Sequence, residues 1–125
     1  MKLLLDSHAV YWWISGSDRL SRQAKKLILD RANIVLVSAA SIYEIELRAR
    51  RGRVNLPPQE LRSALRRNYV EELAITHDHA EYAANLEWEH RDPWDRLLLA
   101  QALLEKCALV SADSIFDQAV VDRHW

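Results

Sequence analysis

The sequence predicts an α/β protein with a central parallel sheet covered by helices on both faces, on three observations. Short apolar runs of strand length recur at Leu3–Leu5, Ile34–Val37, Leu73–Ile75 and Ala108–Val110. Between them lie segments with apolar residues at helical spacing, the pattern of crossovers joining parallel strands. The first run, three leucines between Lys2 and Asp6, is apolar at every position, as befits a strand covered on both sides.

Size and composition narrow the possibilities. The 125 residues are read as one domain, residues 1–125, long enough to bury roughly two-thirds of its unfolded surface without disulfide or structural zinc. The single cysteine, Cys107, sits in the apolar stretch Leu103–Val110 and reads as a buried thiol rather than a nucleophile. That usage suits a reducing, cytoplasmic setting, and neither a membrane-spanning run nor a signal-peptide pattern is present. A net charge of −1 excludes a uniformly basic nucleic-acid binder. Two glycines and three prolines exclude a low-complexity chain, and no internal repeat is found.

Along the chain, Ala9–Ser15 reads as a short helix whose Trp12 and Trp13 belong to the core, and residues 16–18 as a turn. Ser21 caps a helix to about Arg31, with Ala24, Leu27, Ile28 and Ala32 inward. After the second strand two caps compete. Ser41-Ile42-Tyr43-Glu44 fits a capping box, which would give Glu44 a local task. Ser38, directly after the strand, is at least as good a cap and would leave Glu44 about a turn and a half into the helix, pointing back towards Asp6. That helix ends at Gly52.

Residues 48–67 carry seven arginines, no lysine and one acid, Glu60. A solvated helix face would look the same, but the guanidinium fork also matches phosphate oxygens. Pro57-Pro58 opens a further helix with Leu61, Ala64 and Leu65 buried. Thr76 caps the next, packed through Ala80, Ala83 and Ala84; His77 and His79 face different sides, so zinc is not expected there. In His90-Arg91-Asp92-Pro93-Trp94-Asp95, Asp92 is the cap, Pro93 the first helical residue and Asp95 the third. The apolar run after it marks a central helix, which would hold Asp95 rigidly. Residues 114–119 form a helical turn with Phe116 inward, and Val120-Val121 add an edge strand.

This order places Asp6 and Asp113 at the carboxyl edge of the sheet, where functional groups collect in open α/β folds, with Glu44 and Asp95 reaching it from helices. Ionised carboxylates repel by about 4 kcal/mol for a pair roughly 4 Å apart at an effective dielectric of about 20. A hard divalent cation, Mg²⁺ or Mn²⁺, resolves that repulsion with oxygen ligands alone. Such ions activate water and stabilise the oxygens of an in-line phosphoryl displacement. The four acids therefore read as a metal-dependent nuclease, with the arginines on the substrate backbone.

The motifs Leu-Leu-Leu-Asp-Ser-His, Val-Ser-Ala-Ala-Ser-Ile-Tyr-Glu-Ile, His-Arg-Asp-Pro-Trp-Asp-Arg-Leu-Leu-Leu-Ala-Gln-Ala and Leu-Val-Ser-Ala-Asp together resemble the PIN-domain family over essentially the whole chain. The resemblance is strongest to VapC-type ribonuclease toxins of bacterial toxin–antitoxin pairs. It implies a three-layer α/β/α fold, Mg²⁺-dependent endoribonuclease activity on RNA, a homodimer and a cognate antitoxin partner. Carried over residue by residue, it puts Asp6, Glu44, Asp95 and Asp113 on the family's acidic quartet as catalytic and metal-holding residues. Ser7 stands where Thr is commoner and keeps the supporting hydroxyl, and Trp94 replaces a more usual Phe. Asp92 is read as a supporting cap, and Arg48, Arg50, Arg51 and Arg53 as contacts to RNA or antitoxin.

Other readings stay open at this point. A housekeeping RNA-processing nuclease fits the same residues, and a non-catalytic interaction module could keep the fold alone. A phospho-receiver or haloacid-dehalogenase-like domain fits less well. The latter needs an acid where His8 stands, and the former needs a late lysine, whereas the last here is Lys106, ahead of the fourth strand.

Overall fold

Leu3, Leu4 and Leu5 lie at the centre of the sheet, fully buried, and their side chains divide between two cores. Leu3 and Leu5 pack with Val10, Ile28, Ile45 and Leu65 on one face, while Leu4 packs with Leu98, Leu99 and Phe116 on the other. Alternation along a strand therefore sends successive leucines to opposite faces, and both faces are covered. The computed structural model describes residues 1–57 and 60–125.

Five parallel strands, β1 (Lys2–Leu5), β2 (Ile34–Ser38), β3 (Glu71–Leu73), β4 (Ala108–Val110) and β5 (Arg123–His124), run in the order β3-β2-β1-β4-β5. On the Leu3/Leu5 face lie residues of α1 (Ser7–Ile14), α2 (Arg22–Leu29), α3 (Ala39–Arg50) and α4 (Glu60–Arg67). On the other face α6 (Pro93–Leu104) covers Leu4, and α5 (His77–Asn85) packs on α6. The connections from β1 run first to β2 on one side, and the chain later returns to β4 on the other. The point where strand order reverses, between β1 and β4, is where an open α/β sheet leaves a crevice beyond its carboxyl ends.

The expected elements are present, with corrections at the sheet margins. The third strand is Glu71–Leu73 rather than Leu73–Ile75; its two glutamates are exposed, as charges on an edge strand often are. The last strand is Arg123–His124 rather than Val120-Val121, and Val120 is exposed. Its place is set by main-chain bonds, Leu109 N–H to Asp122 O and Ser111 N–H to His124 O, which no apolar pattern reveals. The helix after Ser21 stops at Leu29, leaving Ala32 exposed. Of the three alanines assigned to close packing on α5, only Ala83 is buried. Leu61, Ala64 and Leu65 form the buried stripe of α4 as expected, whereas the place given to Pro58 lies outside the described residues. Cys107 is buried, and no helix among the described residues is long and apolar enough to cross a membrane.

Candidate active site

Asp6 is built into the sheet edge from three directions. Its main-chain N–H continues the ladder to Val110 O at 3.1 Å. Its side chain caps α1, Oδ1 accepting the Ala9 N–H at 2.8 Å, and Oδ2 accepts the Ser111 hydroxyl. The same Ser111 Oγ accepts the Asp113 N–H at 3.0 Å. One buried serine at the end of β4 thus holds two acids from neighbouring strands, across the point where strand order reverses.

Asp113 caps the short 3₁₀ helix Ser114–Gln118 through the Ile115 N–H, and its charge acts on both Asp6 and Asp95. Asp95 is third in α6, behind the Asp92 cap, whose Oδ1 accepts the N–H groups of Trp94 and Asp95. The Asp95 carboxylate also accepts from His90 Nε2 at 2.7 Å. Arg96 fixes the approach to this helix by donating to the carbonyls of Ala83, Leu86, Trp88 and His90.

Glu44 reaches the site from α3. Ser38 is the cap of that helix, so the capping-box alternative at Ser41 fails and Glu44 is free of the helix start. Its Oε1 accepts the Ser7 hydroxyl at 2.6 Å, and Oε2 accepts Arg48 Nη2 at 3.0 Å. Arg48 Nη1 lies 3.5 Å from His8 Nε2. Glu44 is thereby tied to the residue following Asp6, whereas the charge of Asp113 acts on both Asp6 and Asp95.

Burial, more than any neighbour, raises the Asp6 carboxyl above the ordinary aspartate range; the Asp113 charge adds to this, and the Ser111 and Ala9 hydrogen bonds oppose it. Asp95 is raised likewise, first by burial and then by Asp92 and Asp113, against the His90 bond. Two carboxyls held reluctant to ionise, offering oxygen ligands, fit a hard divalent cation that would supply the missing charge, although His90 Nε2 already occupies one Asp95 oxygen. The cage is not ready-made: among the described residues no three His, Cys, Asp or Glu side chains stand grouped to hold a metal. Glu44 faces Ser7 and Arg48, and Asp95 faces His90.

The basic stretch is less one-sided than the sequence suggests. Arg62 forms a two-pronged bond to Glu72 on β3, at 2.8 Å for each prong, and Arg66 stands 3.6 Å from the same carboxylate. Among the described residues Arg50, Arg51 and Arg53 have no acidic partner. Sequence reasoning did not single out Ser111 or His90. The signal for Ser111 was its position after an apolar strand, matching Ser38 after β2; His90 stood in the motif without an assigned task.

The PIN domain family model matches residues 3–121. Ribonuclease VapC22 of Mycobacterium tuberculosis (strain ATCC 25618 / H37Rv) is 35% identical over 114 residues, spanning 89% of this chain and 86% of that protein. Among solved structures, VapBC2 from Rickettsia felis, bound to a DNA fragment from its promoter, superposes with a TM-score of 0.73 at 15% identity, covering 99% of this chain and 98% of that one. A toxin-antitoxin complex from Klebsiella pneumoniae gives 0.67 at 21% identity, covering 98% and 96%. At those identities the structures speak for the fold alone.

Proposed function

The chain belongs to the PIN domain family, and from that premise we propose that it is a metal-dependent endoribonuclease and the toxin of a toxin–antitoxin pair. The observation that carries the reading is the Ser111 bridge, which sets Asp6 and Asp113 side by side at the sheet edge with Asp95 in electrostatic reach. A relative named a ribonuclease, at 35% identity across most of both chains, supports RNA as substrate. The toxin-antitoxin complex from Klebsiella pneumoniae shares this fold, and an antitoxin partner is carried over from it as part of the proposal.

In this reading Asp6, Glu44, Asp95 and Asp113 would hold Mg²⁺, with Mn²⁺ as a substitute. The bound cation would supply Lewis-acid charge for water attack on a phosphodiester. The chain's own residues do the rest. Asp6 is locked by Ser111 and Ala9, so its oxygens do not have to reorganise. Ser7 orients Glu44, and His90 orients Asp95. Arg48, beside Glu44, with Arg50, Arg51 and Arg53 further along, holds the RNA backbone through phosphate contacts, and an acidic antitoxin segment would meet the same charges.

The test is cleavage of total RNA by purified protein with Mg²⁺, with EDTA, and with Asp6→Asn. Cleavage in the first case alone, together with growth arrest on expression of the wild type but not of Asp6→Asn, supports the reading. Equal cleavage by Asp6→Asn, or none by the wild type, overturns it.

A further inference from the structure

We propose that Tyr43 and Trp94 form a stacking platform for one unpaired base of the RNA strand crossing the acidic site; this rests on the ribonuclease reading above. Their ring centroids are 5.3 Å apart with planes tilted by 36°. Tyr43 immediately precedes Glu44 on α3, and Trp94 immediately precedes Asp95 in the first turn of α6. Two acids from different helices are therefore each flanked by an aromatic ring, and the two rings meet.

The rings are not explained by packing. Of the five tryptophans, Trp12, Trp13 and Trp125 pack on one core and Trp88 on the other, while Trp94 joins neither. Tyr43 also joins neither and is 56% exposed. Large aromatics normally contribute to burial, so a pair held outside both cores next to the acids calls for another role. Both rings are preset on helices, and the Trp94 N–H is tied to Asp92 Oδ1 at 2.9 Å.

The occupant follows from the surroundings. Beside Tyr43 opens a cleft of about 590 Å³ walled by Ile42, Leu73 and Ala74, with Glu46 and the paired Arg62 and Glu72 also on its lining, room for a flat group next to the ring. Exposed Arg50 lies seven residues further on α3, on the same side as Tyr43 and roughly 10 Å along the axis, a reach suited to a phosphate of the same strand. Every base offers a π-face to such rings without a sequence requirement, so the pair suits a single strand of any sequence. A protein segment lying on the same pair is the competing occupant.

The experiment uses the full chain in the Asp6→Asn background, so that RNA is bound but not cut. The probes are a labelled single-stranded octaribonucleotide and a set in which each position in turn is abasic. Tyr43→Leu and Trp94→Leu should each weaken binding of the intact strand about tenfold or more, and Tyr43→Phe, which keeps the ring, should restore it. At one abasic position the Tyr43→Leu effect should vanish. With the acids intact and Mg²⁺ present, Tyr43→Leu should raise KM far more than it lowers kcat. Melting in EDTA checks folding, and Trp94→Phe serves as the ring-keeping variant should Trp94→Leu fail to fold.

An unchanged affinity in Tyr43→Leu, or the same loss with every abasic strand, overturns the platform. So does a Tyr43→Leu protein that binds RNA normally but loses a protein partner. If the wild type cleaves RNA and Tyr43→Leu cleaves it with the same KM, only the platform fails. If the wild type cleaves none, the ribonuclease reading fails and takes the platform with it.

Discussion

Helix α6 carries a histidine–carboxylate pair near each end, and the two pairs are nearly the same length and differ in everything else. At its start Asp95 accepts from His90 Nε2 at 2.7 Å; just past its end Glu105 meets His79 Nε2 at 2.8 Å. His79 is almost fully buried, and its other ring nitrogen accepts the Thr76 N–H at 3.0 Å, completing a capping box for α5. That acceptor role fixes the tautomer, with the proton on Nε2 and directed at Glu105. Every polar atom of the ring is used locally, and a cleft of about 670 Å³ beside it, lined by Thr76, Tyr82 and Glu105 among others, lies at the opposite end of α6 from the four acids. Asp95 by contrast stands in the field of Asp92 and Asp113, and its carboxyl is raised, first of all by burial. The same pairwise contact is structural at one end and, in the function proposed above, adjoins a cation site at the other, so the surrounding charges distinguish the two pairs.

The largest test of that contrast is activity. Asp95→Asn, like Asp6→Asn, Glu44→Gln or Asp113→Asn, should lower RNA cleavage by at least about a hundredfold, since even changes behind a metal ligand cost 10–100-fold. A double substitution should add little, because groups acting as one unit are not additive. Glu105→Gln should leave cleavage unchanged. Cleavage rates with Mg²⁺ decide it: independent, additive small losses from the four acids would break the unit.

Stability should report the reverse. His79→Ala leaves the Thr76 N–H and Glu105 without their partner and should lower unfolding free energy by about 1–3 kcal/mol. Cleavage by the folded fraction should be unaffected. Urea titration together with cleavage rates checks both halves; a variant as stable as wild type would remove the structural reading of that end.

The acids should also leave a mark on pH dependence. The folded-state pKa of Asp6 lies above its unfolded value, so the folded protein binds this proton more tightly. The contribution is stabilising below the ordinary aspartate range and is lost as pH rises through the raised folded value. Glu72 and Asp117 are lowered by their arginine partners and act in the opposite direction, so the wild type must be compared with Asp6→Asn. In EDTA, wild-type stability relative to Asp6→Asn should rise as pH falls from neutrality towards the ordinary aspartate value. Stabilisation by Mg²⁺ should shrink over the same range, because protons compete for the ligands. A pH-independent difference in EDTA would show that Asp6 is not destabilised by its surroundings.

What could be read from the chain itself follows the same division. The central strand, the order of elements and the placing of Asp6 and Asp113 at strand ends and Asp95 at a helix start were legible because burial on two faces and strand-end placement leave patterns in residue type. Leu3–Leu5 and the capped start at Asp92-Pro93 are examples. The edge strands were misplaced because Glu71, Glu72, Arg123 and His124 carry no apolar pattern; main-chain pairing and ion pairs hold them. Ser111 and His90 escaped notice because their roles depend on what the fold brings near, Asp6 from 105 residues away and Asp95 across the start of a helix. The arginines overstated their free charge for the same reason: Glu72, which takes Arg62 and Arg66, lies on a strand the apolar pattern did not place.

The smallest expected effect separates the two acids at the start of α6. Asp92 bonds two N–H groups of the first turn, so Asp92→Ala should cost about 1 kcal/mol, with or without Mg²⁺. For a chain of this size that is a fall of roughly 3–6 °C in Tm. Asp95→Asn sets opposing terms against each other. It removes a favourable charge at a helix start, worth roughly 0.3–1 kcal/mol, and weakens the His90 bond. It also removes a partly buried charge whose carboxyl is raised first by burial and then by repulsion from Asp92 and Asp113. In EDTA the balance should leave Asp95→Asn as stable as wild type or slightly more so. In Mg²⁺ the wild type should gain about 2.7 kcal/mol at a hundredfold excess over Kd. Asp95→Asn should lose most of that gain, and Asp92→Ala should keep it. Melting curves in EDTA, at two Mg²⁺ concentrations and with a Ca²⁺ control measure all of this. If Asp95→Asn melts well below wild type in EDTA and still gains fully from Mg²⁺, Asp95 belongs with His79 and Glu105 as a structural partner. The cation would then have to be held by Asp6, Glu44 and Asp113 alone.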